Sequence, residues 1–147
     1  NSFGREAINR NIPIDLLAKS ISGENIRLVN LQYDHDEKML EKLYMKDGIK
    51  IQTLQEFDNK MDIDCLASLI CACDQVISAD NSTVFLAASL GKRTSVLLPF
   101  AASWRWGTIS KKSYWYDSVK LYRSIKSADW AHPIKLLQDD LKMTKTM

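Results

Sequence analysis

The chain has no apolar run near the ~20 residues that a helix needs to span a bilayer. It also has no signal-peptide pattern at its N-terminus, so the expectation is a cytoplasmic protein without a membrane span. An excess of charge of either sign is missing too: 20 Lys and Arg stand against 18 Asp and Glu, a net +2, and the signs are interspersed. A nucleic-acid partner needs a concentrated basic face, so none is expected. Histidine is scarce, with only His35 and His132, and the three cysteines, Cys65, Cys71 and Cys73, crowd one segment. Cys71 and Cys73 lie two apart and would leave a helix on different faces, and no second ligand pair follows, which is poor spacing for a metal. Small buried thiols are the expected reading of all three. Internal repeats and low-complexity tracts are absent.

What is present suits one soluble core: 147 residues, 46% hydrophobic and 26% charged, are ordinary for a single compact domain. Hydrophobic spacing alternates between two periods along the chain. It gives a helix at Ile14 to Ile21, a strand at Ile26 to Leu31, a helix at Glu37 to Met45 and a short strand at Ile49 to Thr53. Asp64 to Cys73 repeats apolar residues at helical intervals, through Leu66, Leu69, Ile70 and Cys73. Val76-Ile77 and Val96-Leu97-Leu98 are continuous apolar runs of the kind that form parallel strands buried on both sides. Val119 to Tyr122 adds a strand, and Trp130 to Met143 closes the chain as an amphipathic helix with Ile134, Leu137 and Leu141 on one side. This alternation predicts an α/β fold, a Rossmann-like three-layer α/β/α sandwich on a mainly parallel sheet.

The densest information lies in Val76 to Phe100, VISADNSTVFLAASLGKRTSVLLPF, which reads as strand, polar corner, helix and strand. At the corner Asp80-Asn81-Ser82-Thr83, either Asn81 or Ser82 suits the N-cap. Gly91 suits the left-handed residue after the helix. No acidic residue follows Thr83 in the first turn, so the helix end keeps its partial positive charge and its unpaired N–H groups. Such an end accepts phosphate. Ser82 and Thr83 could equally serve only as caps.

This stretch closely resembles the C-terminal domain of GT-B glycosyltransferases of the heptosyltransferase-like (family 9) type, often found behind bacterial tetratricopeptide repeats. The likeness rests on Asp80-Asn81-Ser82-Thr83-Val84-Phe85-Leu86-Ala87 with Leu90-Gly91, on Arg10-Asn11-Ile12-Pro13, and on the ordered run Leu98-Pro99-Phe100, Trp104-Arg105-Trp106, Trp115-Tyr116 and Leu121-Tyr122-Arg123. One position departs, because Phe85 stands where the family usually has His. A phenyl ring neither donates a hydrogen bond nor carries charge.

The resemblance implies a single nucleotide-sugar-binding domain over residues 1–147, a piece of a longer chain whose N-terminal half would bind acceptor and supply the base. It implies a nucleoside-diphosphate sugar as substrate, no metal and no further cofactor, and partners in the missing half and the repeats. Substrate-binding candidates are Asp80, Asn81, Ser82 and Thr83 for the diphosphate and neighbouring sugar, with Arg10 as a cation opposite them. Gln32 in the loop after Leu31, and Met61 with Asp62 in the loop near the base, complete the set. Three such loops should converge at the carboxyl ends of the strands. Asp62 also suits an N-cap, and Arg10 also suits a solvated terminus. The aromatic connection from Pro99 to Val119 reads as a lid, as packing against the sheet, or as a surface for the other half.

Overall fold

The computed structural model describes residues 11–32, 36–54 and 62–144. In chain order these form α1 (Ile14–Ile21), β1 (Leu28–Val29), α2 (Glu37–Asp47), β2 (Ile51–Gln52), α3 (Ile63–Ala72), β3 (Val76–Ala79), α4 (Ser82–Ser89), β4 (Thr94–Leu98), a 3₁₀ turn (Trp104–Trp106), β5 (Val119–Arg123) and α5 (Ala131–Thr144). All pairings between named strands are parallel. β1 pairs with β2, and β3, β4 and β5 form a second sheet in that order.

Alternation along the central strand builds the layers. Val96 and Leu98 of β4 face Val84 and Ala88 of α4, together with Trp106, Val119 and Leu121. Leu97 and Tyr122 face the other way, onto Leu17 and Ile21 of α1 and Trp130, Ile134 and Leu137 of α5. Leu66 and Ile70 of α3 pack with Val76 and Ala87 beside α4. The result is the expected α/β/α sandwich, with β4 buried along its whole length.

Parallel neighbours need a long crossover, usually a helix. From β3 to β4 this is α4. From β4 to β5 the 20 residues between Leu98 and Val119 instead form an irregular aromatic segment, in which Trp106 is 0% exposed and fills the layer a helix would occupy. Its far end pairs with the free edge of β5: Lys112 bridges Lys120 in antiparallel sense, and the Leu121 N–H donates to the Lys111 carbonyl at 2.8 Å. Covering an edge strand in this way removes a surface prone to unwanted pairing.

The cysteines differ from expectation. Cys71 is exposed, and Cys65 and Cys73 are half-buried. The helix α3 turns Leu66 and Ile70 inward, and a 100° step per residue carries Cys71 away from that stripe. Among the described residues, no group of three His, Cys, Asp or Glu side chains stands close enough to hold a metal. No described helix is long and apolar enough to cross a membrane.

A polar chain holds α5 to the sheet. The Tyr122 hydroxyl donates to Asp140 Oδ2 at 2.7 Å, Lys120 Nζ donates to Asp140 Oδ1, and Gln75 Nε2 donates to Ser95 Oγ at 2.7 Å beside Tyr122. Burial, then the bond to Asp140, pushes the Tyr122 hydroxyl from 10 to about 12. The bonds from Lys120 and Tyr122 hold Asp140 below the ordinary carboxylate range. The raised tyrosine keeps its proton longer when folded, so its contribution is complete below pH 10 and is lost as pH climbs towards 12. The lowered carboxylate contributes above its unfolded value and loses that contribution as pH falls through its folded one. In chemical denaturation at a series of pH values, Tyr122→Phe should therefore flatten the alkaline decline in stability, and Asp140→Asn the acid one.

Candidate functional site

The corner after β3 is built by one side chain. Asn81 has extended backbone, its Oδ1 accepts the Val84 N–H at 3.3 Å, and its Nδ2 donates to Ser78 Oγ at 2.9 Å. Asn81, rather than Ser82, is thus the N-cap. Its amide ties the helix start to the end of the strand that feeds it. Ser82 and Thr83 become the first two helical residues, and Ser82 is exposed. The first turn of α4 holds no acidic residue, so its positive end is not neutralised from within. At the other end Gly91 has φ +68°, and the Lys92 N–H returns to the Ala87 carbonyl at 3.0 Å. This closes the helix in the left-handed manner that glycine permits.

Beside the corner, Ala79, Asp80, Pro99, Ala101 and Ser103 line a crevice of about 10 Å³ at the carboxyl ends of β3 and β4. That is the space of roughly one water. Any larger ligand therefore rests on the open surface above it. A roomier groove of about 210 Å³ lies elsewhere, between α2 and β2, lined by Glu37, Glu41, Tyr44 and Lys50 among others.

Phe85 is half-buried on α4. Its ring stacks on Trp106 with centroids 5.4 Å apart and planes 17° apart. This is the core-packing role open to it. The Arg105 guanidinium lies 5.9 Å from the Phe85 centroid and 5.8 Å from that of Trp104. Arg105 Nη1 donates to Ser103 Oγ at 3.3 Å, which brings the cation to the rim of the crevice.

The aromatic segment is pinned, and its outer rings are open. Arg123 Nε donates to the Ser110 carbonyl at 3.1 Å and its Nη2 donates to the Trp106 carbonyl. Trp115 Nε1 donates to the Arg105 carbonyl at 3.0 Å. Gly107 has φ +64°, and a Cβ there would come 2.7 Å from the Tyr114 ring, so that position requires glycine. Trp104 is 78% exposed, Tyr114 71% and Trp115 63%.

The other expected residues have local partners or lie outside the described residues. Asp62 caps α3, its Oδ1 accepting the Cys65 N–H at 2.9 Å, which is the capping role open to it. Gln32 is exposed, and its N–H donates to Asn30 Oδ1 at 3.0 Å. Leu31, just before it, packs with the cluster of α3 and α4. No described hydrogen bond joins Gln32 or Asp62 to the Asp80 to Thr83 corner. Arg10 and Met61 lie outside the described residues. Arg105 was missed as a site residue by sequence reasoning. The signal available was a cation set between two tryptophans, Trp104-Arg105-Trp106.

Comparison with known proteins adds little to this geometry. No protein-family model matches the chain, and no solved structure matches it. Protein FlbA of Caulobacter vibrioides is 29% identical over 119 residues, 80% of this chain and 20% of that protein. The chain thus spans about a fifth of the length of that curated relative.

Because the cap depends on the Asn81 carboxamide, Asn81→Ala should lower stability by about 1 kcal/mol, read as a shift of the denaturation midpoint. Ser82→Ala should leave the midpoint within about 0.5 kcal/mol.

Proposed function

We propose that this domain is the donor-binding half of a GT-B glycosyltransferase of the heptosyltransferase-like kind. On this reading it holds a nucleoside-diphosphate sugar while the sugar passes to an acceptor. The observation that carries the proposal is the start of α4. Asn81 alone satisfies the cap, so Ser82 and Thr83 stand at an end with no acidic residue in its first turn. That end opens at the carboxyl ends of β3 and β4, beside a crevice with the space of about one water.

The chemistry is displacement at the anomeric carbon. The bond from that carbon to the phosphate oxygen breaks, a bond to the acceptor oxygen forms, and the acceptor proton passes to a base in the other half of the protein. Charge grows on the leaving diphosphate in the transition state. Fixed N–H dipoles and a cation stabilise that charge without a metal, and Ser82 and Thr83 add hydroxyl donors. Asp80 is not assigned as the base, since its carboxylate sits by the phosphate position and opposes negative charge there. The same reading places the protein in the cytoplasm, joined to the missing acceptor-binding half and to tetratricopeptide repeats.

A second reading is favoured by the exposed Trp104, Tyr114 and Trp115. A domain of this fold that has lost transfer could present these rings to another protein surface.

Calorimetric titration with UDP, ADP and GDP separates the two. The donor-site reading expects one of them to bind, and Ser82→Ala/Thr83→Ala to weaken it about tenfold, which corresponds to roughly 1.4 kcal/mol for two neutral hydroxyl donors. Absence of heat with every nucleotide supports the docking role instead.

A further inference from the structure

Resting on the donor-site reading, we infer that Arg105 is the cation that grips the donor diphosphate, held in place for that purpose by Phe85 and Trp104. Four observations converge on it. First, its backbone is locked. The Trp106 N–H donates to the Ser103 carbonyl at 3.1 Å and the Gly107 N–H to the Trp104 carbonyl at 3.0 Å, while the Arg105 carbonyl accepts Trp115 Nε1. Second, the guanidinium lies over two rings, 5.9 Å from the Phe85 centroid and 5.8 Å from that of Trp104. A ring face within about 6 Å attracts a guanidinium and leaves its outer N–H groups free to meet a ligand.

Third, the cation has no counter-ion among the described residues. The ion pairs among the described residues are Lys19 with Asp47, Lys120 with Asp140 and Lys135 with Asp139, and Arg105 enters none of them. Its one side-chain hydrogen bond goes to the neutral Ser103 hydroxyl. Fourth, its position is right. Phe85 stands three residues beyond Ser82, so the two share a side of α4, and Ser103 lines the same crevice as Asp80. A guanidinium beside a helix start meets two phosphate oxygens through its planar fork, a fixed geometry that a lysine ammonium lacks.

The position also gives Phe85 a functional role besides packing. Its inner face stacks on Trp106, and its ring also carries the arginine. Phe85→Leu keeps an apolar side chain in the cluster but removes the ring face that attracts the guanidinium.

The test compares each nucleoside diphosphate with its own nucleoside, UDP with uridine, ADP with adenosine and GDP with guanosine, on the full chain and its variants. Arg105→Ala should weaken diphosphate binding by roughly ten- to a hundred-fold, the range for a lost charge-assisted hydrogen bond. Nucleoside binding and the thermal midpoint should stay as in the parent, because the Arg105 side chain is exposed. Arg105→Lys should recover part of the diphosphate affinity, and Phe85→Leu should lose part of it. If Arg105→Ala binds the diphosphate as the parent does while Ser82→Ala/Thr83→Ala does not, the inference is overturned and the donor site stands. An equal loss for nucleoside and diphosphate also overturns it, since Arg105 would then act through the shape of its loop. If the parent binds no nucleoside diphosphate, the inference and the reading beneath it both fall.

Discussion

The structure depends on the burial of one strand. Thr94 to Leu98 are all enclosed, so β4 must have a layer of side chains on each side and a partner strand along each edge. Val96 and Leu98 require α4 and Trp106 on one side; Leu97 requires α1 and α5 on the other. Because the backbone of a buried strand finds its hydrogen bonds only in neighbouring strands, β3 and β5 follow. The start of α4 is then set beside the carboxyl end of β4. The site is therefore a consequence of core packing: the corner is held by the strand before it and the helix after it, with Asn81 joining the two.

The second crossover shows how packing and site are coupled. In place of a helix the chain lays Trp106 against β4 and β5, and Arg123 at the end of β5 binds back to the carbonyls of Trp106 and Ser110. This segment covers the edge of the sheet, completes its core and carries Arg105 to the crevice. One stretch thus has three tasks, and its composition reflects them: one buried ring for the core, an arginine at the rim, and outer rings on the surface. Gly107 permits the turn between them because the Tyr114 ring leaves no space for a Cβ.

Much of the fold was legible because its signals are local. The limits of α1 match the periodic run Ile14 to Ile21, and the apolar runs at Val76, Val96 and Val119 are the strands of the larger sheet. The short strands were read too long. Ile26 to Leu31 suggested six residues, whereas pairing covers only Leu28–Val29, since a two-stranded sheet has few partners to extend its ladder. At the corner, composition left Asn81 and Ser82 open as caps, and only geometry shows that the longer carboxamide reaches both Val84 and Ser78. Arg105 was legible only as a cation set between two tryptophans. Its meaning depends on Phe85, twenty positions earlier in the chain, and no spacing rule connects a loop arginine to a helix ring across a crossover. The cysteines misled because small thiols are commonly buried, while the inward stripe of α3 is set by Leu66 and Ile70.

The central claim is that the exposed start of α4 receives a diphosphate. The most direct measurement is amide hydrogen exchange, residue by residue, with and without UDP, ADP and GDP. The account predicts slowed exchange at Ser82, Thr83 and Val84 with at least one nucleotide, accompanied by the turn that carries Arg105. Protection confined to the groove of Glu37, Tyr44 and Lys50, or no protection with any of the three, would contradict it.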